Sequence, residues 1–156
     1  MSDFVWTEAM SVGVPALDAD HRCLVRIINL LNEAQGNDTG RVIEIVMDTL
    51  AAYARFHFAR EEQVMSACGF PALSVHAIEH EGFCRTIAAL AKEQAGPAAA
   101  AELLEYLKGW LLHHILIQDM AYRPYIAESS DLSALTAAVS QALPPIDLDR
   151  LVAARS

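Results

Sequence analysis

Residues 57–80 hold two pairs of metal-binding side chains at helical spacing, His57 with Glu61 and His76 with His80. Imidazole nitrogens and carboxylate oxygens ligate first-row transition metals. Residues four apart lie about 40° apart around an α-helix and about 6 Å along it, so both members of a pair can reach one point. Each pair falls on an apolar stripe, where an ionised glutamate is costly unless it is paired or bound to a metal. His21 and His114 occupy the apolar stripes of two further segments, and Asp119 lies five residues after His114. Five residues correspond to about 140° of α-helix. Asp119 is therefore expected to lean toward the centre from the flank.

A lone histidine on an apolar stripe is most often a hydrogen-bonded core residue. Five histidines and a glutamate converging from four segments point instead to a metal site. Zinc takes four ligands in structural sites, so this set exceeds one ion. Suppose Glu61 and Asp119 each bridge two ions and an oxo or hydroxo group adds a third bridge. The set then falls one ligand short of two filled octahedra and leaves one open position. Imidazole with carboxylate suits iron, and two cations offset the buried anions. Two other patterns compete. HAIEH at 76–80 has the H-x-x-E-H form of some zinc proteases. Glu79, however, points about 100° away from His80, and the motif leaves His21, His57 and His114 unexplained. The Glu-x-x-His pairs of ferritin-like diiron proteins do not occur in this sequence.

The elements that must carry these residues follow from apolar periodicity. Leu17, His21, Leu24, Val25, Ile28 and Leu31 predict a first helix over about 18–34, with Asp18 as N-cap. QGNDTG at 35–40 reads as a loop. Val42, Val46, Leu50, Tyr53, His57, Glu61 and Val64 predict a second helix over about 41–67, stopped by Gly69 and Pro71. Leu73, His76, His80, Phe83, Ile87 and Leu90 predict a third over about 73–94, ended by Gly96 and Pro97. Leu103, Leu107, Trp110, Leu111, His114, Ile117 and Tyr122 predict a fourth over about 98–126. No alternating strand pattern occurs. The expected architecture is all-α: an up-down-up-down four-helix bundle with an extended N-terminal arm and a short C-terminal helical extension. The bundle would occupy residues 1–126. In residues 127–156, Leu132, Leu135, Val139 and Leu143 form a stripe that could dock on the bundle or on another copy.

Composition narrows the function classes. With 20 Asp plus Glu against 11 Lys plus Arg, the net charge of −9 argues against nucleic acid and anionic membranes as partners. No apolar run reaches the length of a membrane span, and the N-terminus lacks a signal-peptide pattern. Cys23, Cys68 and Cys84 are odd in number and form no C-x-x-C, so they read as small buried residues rather than a disulfide framework. A reducing cytoplasm is the expected location.

The matching stretches VWTEAMSVGVPALDADH at 5–21, HFAREEQVM at 57–65, GFPALSVHAIEH at 69–80 and WLLHHILIQDMAY at 110–122 together resemble the hemerythrin family, in its bacterial single-domain form. The resemblance implies a non-haem diiron centre. In it His76, His80 and His114 ligate the saturated iron, His21 and His57 ligate the iron with the open position, and Glu61 and Asp119 bridge. Adjacent His113 and His114 are barely separated by periodicity. The family's H-I-x-x-x-D spacing selects His114 and leaves His113 at the surface or behind the ligands. Leu24, Ile28, Phe56, Trp110 and Leu111 are candidates for an apolar wall around the oxygen position. The implied function is reversible dioxygen binding for storage, delivery or sensing, by a monomer or weak oligomer and not by an enzyme. The alternatives are a diiron peroxidase or oxidase, and an oxygen-sensing input for a signalling partner.

Overall fold

The computed structural model describes residues 3–33, 39–92, 97–129 and 153. Four helices, α1 (Pro15–Glu33), α2 (Thr39–Ala67), α3 (Leu73–Leu90) and α4 (Pro97–His113), run up, down, up and down, and a short α5 (Arg123–Glu128) follows. Among the described residues there is no strand, and no helix is long and apolar enough to cross a membrane. Of the loop expected at 35–40, residues 35–38 lie outside the described residues and Thr39 and Gly40 already belong to α2; the stripe from Leu132 to Leu143 also lies outside the described residues.

α1 begins at Pro15, three residues ahead of the expected start, because proline suits the first helical position, where its missing N–H costs nothing. Asp18 is not an N-cap. It lies buried in the first turn, where its carboxylate accepts hydrogen bonds from the Val12 N–H (2.9 Å) and the Ser11 hydroxyl (2.6 Å). It thereby ties down the N-terminal arm. Farther along the arm, the Asn29 side chain pairs with both the N–H and the carbonyl of Phe4. A single 3-10 turn at Glu8–Met10 interrupts the extended course.

α2 is 29 residues long, about 43 Å by the α-helical rise. It ends where the stop signals predict. Gly69 adopts φ +71°, and the Phe70 N–H reaches the Met65 carbonyl while the Gly69 N–H reaches that of Ser66. This is a complete Schellman cap, which satisfies the last carbonyls of the helix.

The fourth helix departs most from expectation. A continuous helix to 126 was predicted, but α4 stops at His113. Residues His114–Gln118 form a π turn, in which the Asp119 N–H bonds the His114 carbonyl five residues back, and Asp119–Ala121 form a 3-10 turn. One extra residue in the ring rotates everything after it. Ile117, expected in the core, is 59% exposed, whereas Asp119 is fully buried.

Two apolar clusters fill the bundle. The larger joins residues such as Leu24, Ile28, Leu50, Phe58, Phe83 and Leu111. The smaller gathers Val12, Val14, Leu17, Val64, Met65, Tyr122 and Ile126, with Phe70 and Leu73 packed against it. On α1 the clusters meet on either side of His21, and on α2 on either side of His57 and Glu61. The polar residues thus form a layer between two apolar ones.

Candidate metal centre

All seven predicted ligands are buried: His21, His57, Glu61, His76, His80, His114 and Asp119. They come from α1, α2, α3, the π turn that follows α4 and the 3-10 turn after it. The π turn resolves the awkward spacing of His114 and Asp119, because a ring closed over five residues places both on one face. His114 Nε2 and Asp119 Oδ1 are 2.9 Å apart.

The donor atoms fall into two groups. Those of Glu61, His76, His80 and His114 all lie within 4.8 Å of one another, as do those of His21, His57 and Glu61. Glu61 is common to both. Its Oε2 is 2.9 Å from His80 Nε2 and 3.7 Å from the Nε2 atoms of His57, His76 and His114. Asp119 also faces both groups, with Oδ2 3.3 Å from His21 Nε2 and Oδ1 3.2 Å from His76 Nε2. Yet both ring nitrogens of His21, Glu61 Oε2, His76 Nε2 and both Asp119 oxygens are buried without an aligned hydrogen bond. Buried polar atoms are seldom left so. The Nε2 atoms of His21 and His76 and the oxygens of Glu61 and Asp119 lie close together but misaligned, and this donor set fits a metal.

The electrostatics agree. Burial opposes ionisation of Glu61, but His114, His76 and His80 close around it and hold its carboxyl well below the usual range. Burial and the Glu61 charge disfavour ionised Asp119, and His114 and His21 outweigh them. Burial disfavours the His114 imidazolium, but Asp119 and Glu61 raise its pKa to about 10; against the same burial they raise His76 to about 8. For His57 burial wins over the hydrogen bond to Asp20, and its pKa is lowered. Without metal, protons on histidines balance the two carboxylates. A bound cation takes over that role and displaces them.

The proposed apolar wall needs one correction. Phe56 is 42% exposed, because it precedes His57 by one residue and so points about 100° away. The aromatic side chain from this turn is Phe58, which is buried and stacks on His80 with ring centroids 3.9 Å apart and planes 5° apart. Trp110 stacks on His114 at 4.2 Å. Leu24 and Leu111 are buried one turn from His21 and His114, and Ile28 is buried a further turn away. His113 and Glu79 are exposed. The cysteines, read as buried, are free; Cys23 and Cys68 are part-buried and Cys84 is exposed. Burial comes first among the causes that raise all three thiol pKa values, so none is an activated thiolate.

Sequence reasoning missed three polar partners. The Tyr122 hydroxyl donates to Glu61 Oε1 at 2.6 Å. Asp20 Oδ2 lies 2.9 Å from His57 Nδ1, and Glu62 Oε1 lies 2.8 Å from His80 Nδ1. Asp20 and Glu62 each neighbour a predicted ligand in sequence, which was the available signal. Tyr122 was read as plain core because a stripe does not show where a hydroxyl points.

Comparison with known proteins agrees with this geometry. The hemerythrin family model, described as the hemerythrin HHE cation binding domain, matches residues 12–126. The chain is 32% identical over 123 residues to a bacteriohemerythrin of Stenotrophomonas maltophilia, covering 78% of this chain and 80% of that one. It is 28% identical over 127 residues to one of Clostridium acetobutylicum, covering 76% of this chain and 98% of that one. A crystal structure of a single-site hemerythrin variant superposes with a TM-score of 0.66 at 25% identity, covering 81% of this chain and 99% of that one. A buried histidine–carboxylate layer in a four-helix bundle and a family match across that bundle lead to one assignment: the chain belongs to the hemerythrin family.

Proposed function

We propose that this chain binds dioxygen reversibly at a non-haem diiron centre in the polar layer. His76, His80 and His114 hold one ion, His21 and His57 hold the other, and Glu61 and Asp119 span the two. Bound iron supplies the electrons and the open coordination position that dioxygen binding requires. The observation that carries the reading is the set of buried, unaligned donor atoms shared between two groups through Glu61. With three histidines in one group and two in the other, an ion held by His21 and His57 would keep the open position.

The chain's own contribution is to orient the ligands and keep water out. Apolar clusters close the layer from both sides. On the two-histidine side, Trp6 packs against His21 and Tyr53 stacks on His57. Restricted access at a metal favours binding and release over oxidation.

The test is to load the protein anaerobically with Fe(II), admit air and then purge with argon. A charge-transfer absorption band should appear with air and vanish on purging over repeated cycles. Irreversible bleaching, or sustained peroxide turnover with an added electron donor, would favour an enzyme instead.

A further inference from the structure

We infer that Asp20 and Glu62 are positioning residues, each aligning a histidine of a different half of the centre. The inference rests on the two-ion reading above. A carboxylate only accepts hydrogen bonds, so His57 Nδ1, 2.9 Å from Asp20 Oδ2, carries the proton of a neutral ring. The lone pair is then on Nε2, the atom that faces Glu61. His80 follows the same logic. Its Nδ1–H donates to Glu62 Oε1 at 2.8 Å, and its Nε2 lies 2.9 Å from Glu61 Oε2. Each contact fixes both the tautomer and the rotation of a ring that offers a ligand atom to the centre. A carboxylate behind the ring also makes it a more basic ligand.

The two contacts serve different halves, and they are not repeated at every ligand. Nδ1 of His21 and Nδ1 of His114 are buried without a hydrogen bond. His57 in one half and His80 in the other thus have a carboxylate behind the ring, whereas His21 and His114 have none. The anchors also differ in setting. Asp20 is buried, reaches from α1 to α2, and has the Arg60 guanidinium 3.4 Å away. Glu62 follows Glu61 on α2, reaches α3 and is 39% exposed. A charge acts more strongly where water is excluded, so Asp20 has the larger effect of the two.

The experiment follows iron retained per chain as the anaerobic Fe(II) protein is titrated with a chelator. Mössbauer spectra taken through the titration identify the iron environment lost at each step. The unmodified chain should release iron in two steps. Asp20→Asn should weaken one step by about 10- to 100-fold and leave the other in place. Glu62→Gln should weaken the other step by a smaller factor. Asp20→Glu, which keeps the charge, should recover part of the loss. Circular dichroism of the metal-free variants controls for folding, and the exposed Glu62 position carries the test even if Asp20→Asn does not fold. Fewer than two irons per chain in the unmodified protein at saturation overturns the two-ion reading and the inference with it. Two steps that neither substitution moves, or that one substitution moves equally, overturn the positioning roles alone.

Discussion

Glu61→Ala should lose the iron pair and, with it, all reversible oxygen response. A single oxygen of Glu61, Oε2, faces histidines of both groups at 2.9 to 3.7 Å. On the proposed two-ion reading, its removal would take a bridge from both ions and half of the bridging negative charge that draws them in. The metal-free protein should suffer as well. His114 and His76 owe part of their raised pKa values to Glu61, and the Tyr122 hydroxyl loses its acceptor. Breaking a buried ion pair from one side costs about 3 kcal/mol or more. Glu61→Gln separates the two effects, since it keeps the shape and an acceptor for Tyr122 but removes the charge. Iron per chain after desalting, together with urea unfolding of the metal-free form, measures both. Retention of two irons by Glu61→Ala would contradict the bridging role.

The stability of the metal-free protein should fall as pH rises above neutrality, and iron should abolish that fall. The folded pKa of His76 is about 8 and that of His114 about 10, against an ordinary value of 6.5. A group whose pKa is raised on folding stabilises fully below its unfolded value. That contribution is lost as pH climbs through the folded value. The loss should therefore begin above about pH 6.5, deepen through 8 and continue to 10. Each pKa unit is worth about 1.4 kcal/mol, so the total is a few kcal/mol, less than a plain sum because both histidines share the same carboxylates. On the acid side the slope reverses. Glu61 and Asp119 have depressed values, and their contribution is lost as pH falls below the usual carboxylate range. His57, with its lowered pKa, also favours unfolding as pH drops below about 6.5. The metal-free protein is thus most stable in mildly acidic solution. Bound cations replace the histidine protons, so the gain in melting temperature on iron loading should increase from pH 6.5 to 9. A gain that shrinks over that range would contradict the charge balance described here.

Most of the bundle was legible in its apolar stripes because burial and helical period coincide at Leu24, Val46, Leu50, Phe83 and Leu107. The buried cluster of candidate ligands was legible for a related reason: five histidines and a glutamate on four apolar stripes are more than hydrogen-bonded core residues account for. The parts that escaped depend on geometry that a stripe does not encode. Asp119 looked misplaced under α-helical arithmetic, and only the five-residue ring from His114 brings it inward while turning Ile117 out. Asp18 has the composition of an N-cap, but tertiary contact with the arm outweighs local preference. Phe56 and Phe58 flank His57 symmetrically in sequence, so helix phase decides between them. Asp20 and Glu62 drew no reading of their own from the sequence, because their role depends on where the rings of His57 and His80 lie.

The central claim is that one layer of this bundle holds two metal ions, shared through Glu61 and Asp119. Anomalous diffraction at the iron edge from crystals of the Fe(II)-loaded protein tests it most directly. Two peaks are expected in the layer, one beside His76, His80 and His114 and the other beside His21 and His57. A single peak, or iron bound only outside the layer, would contradict it.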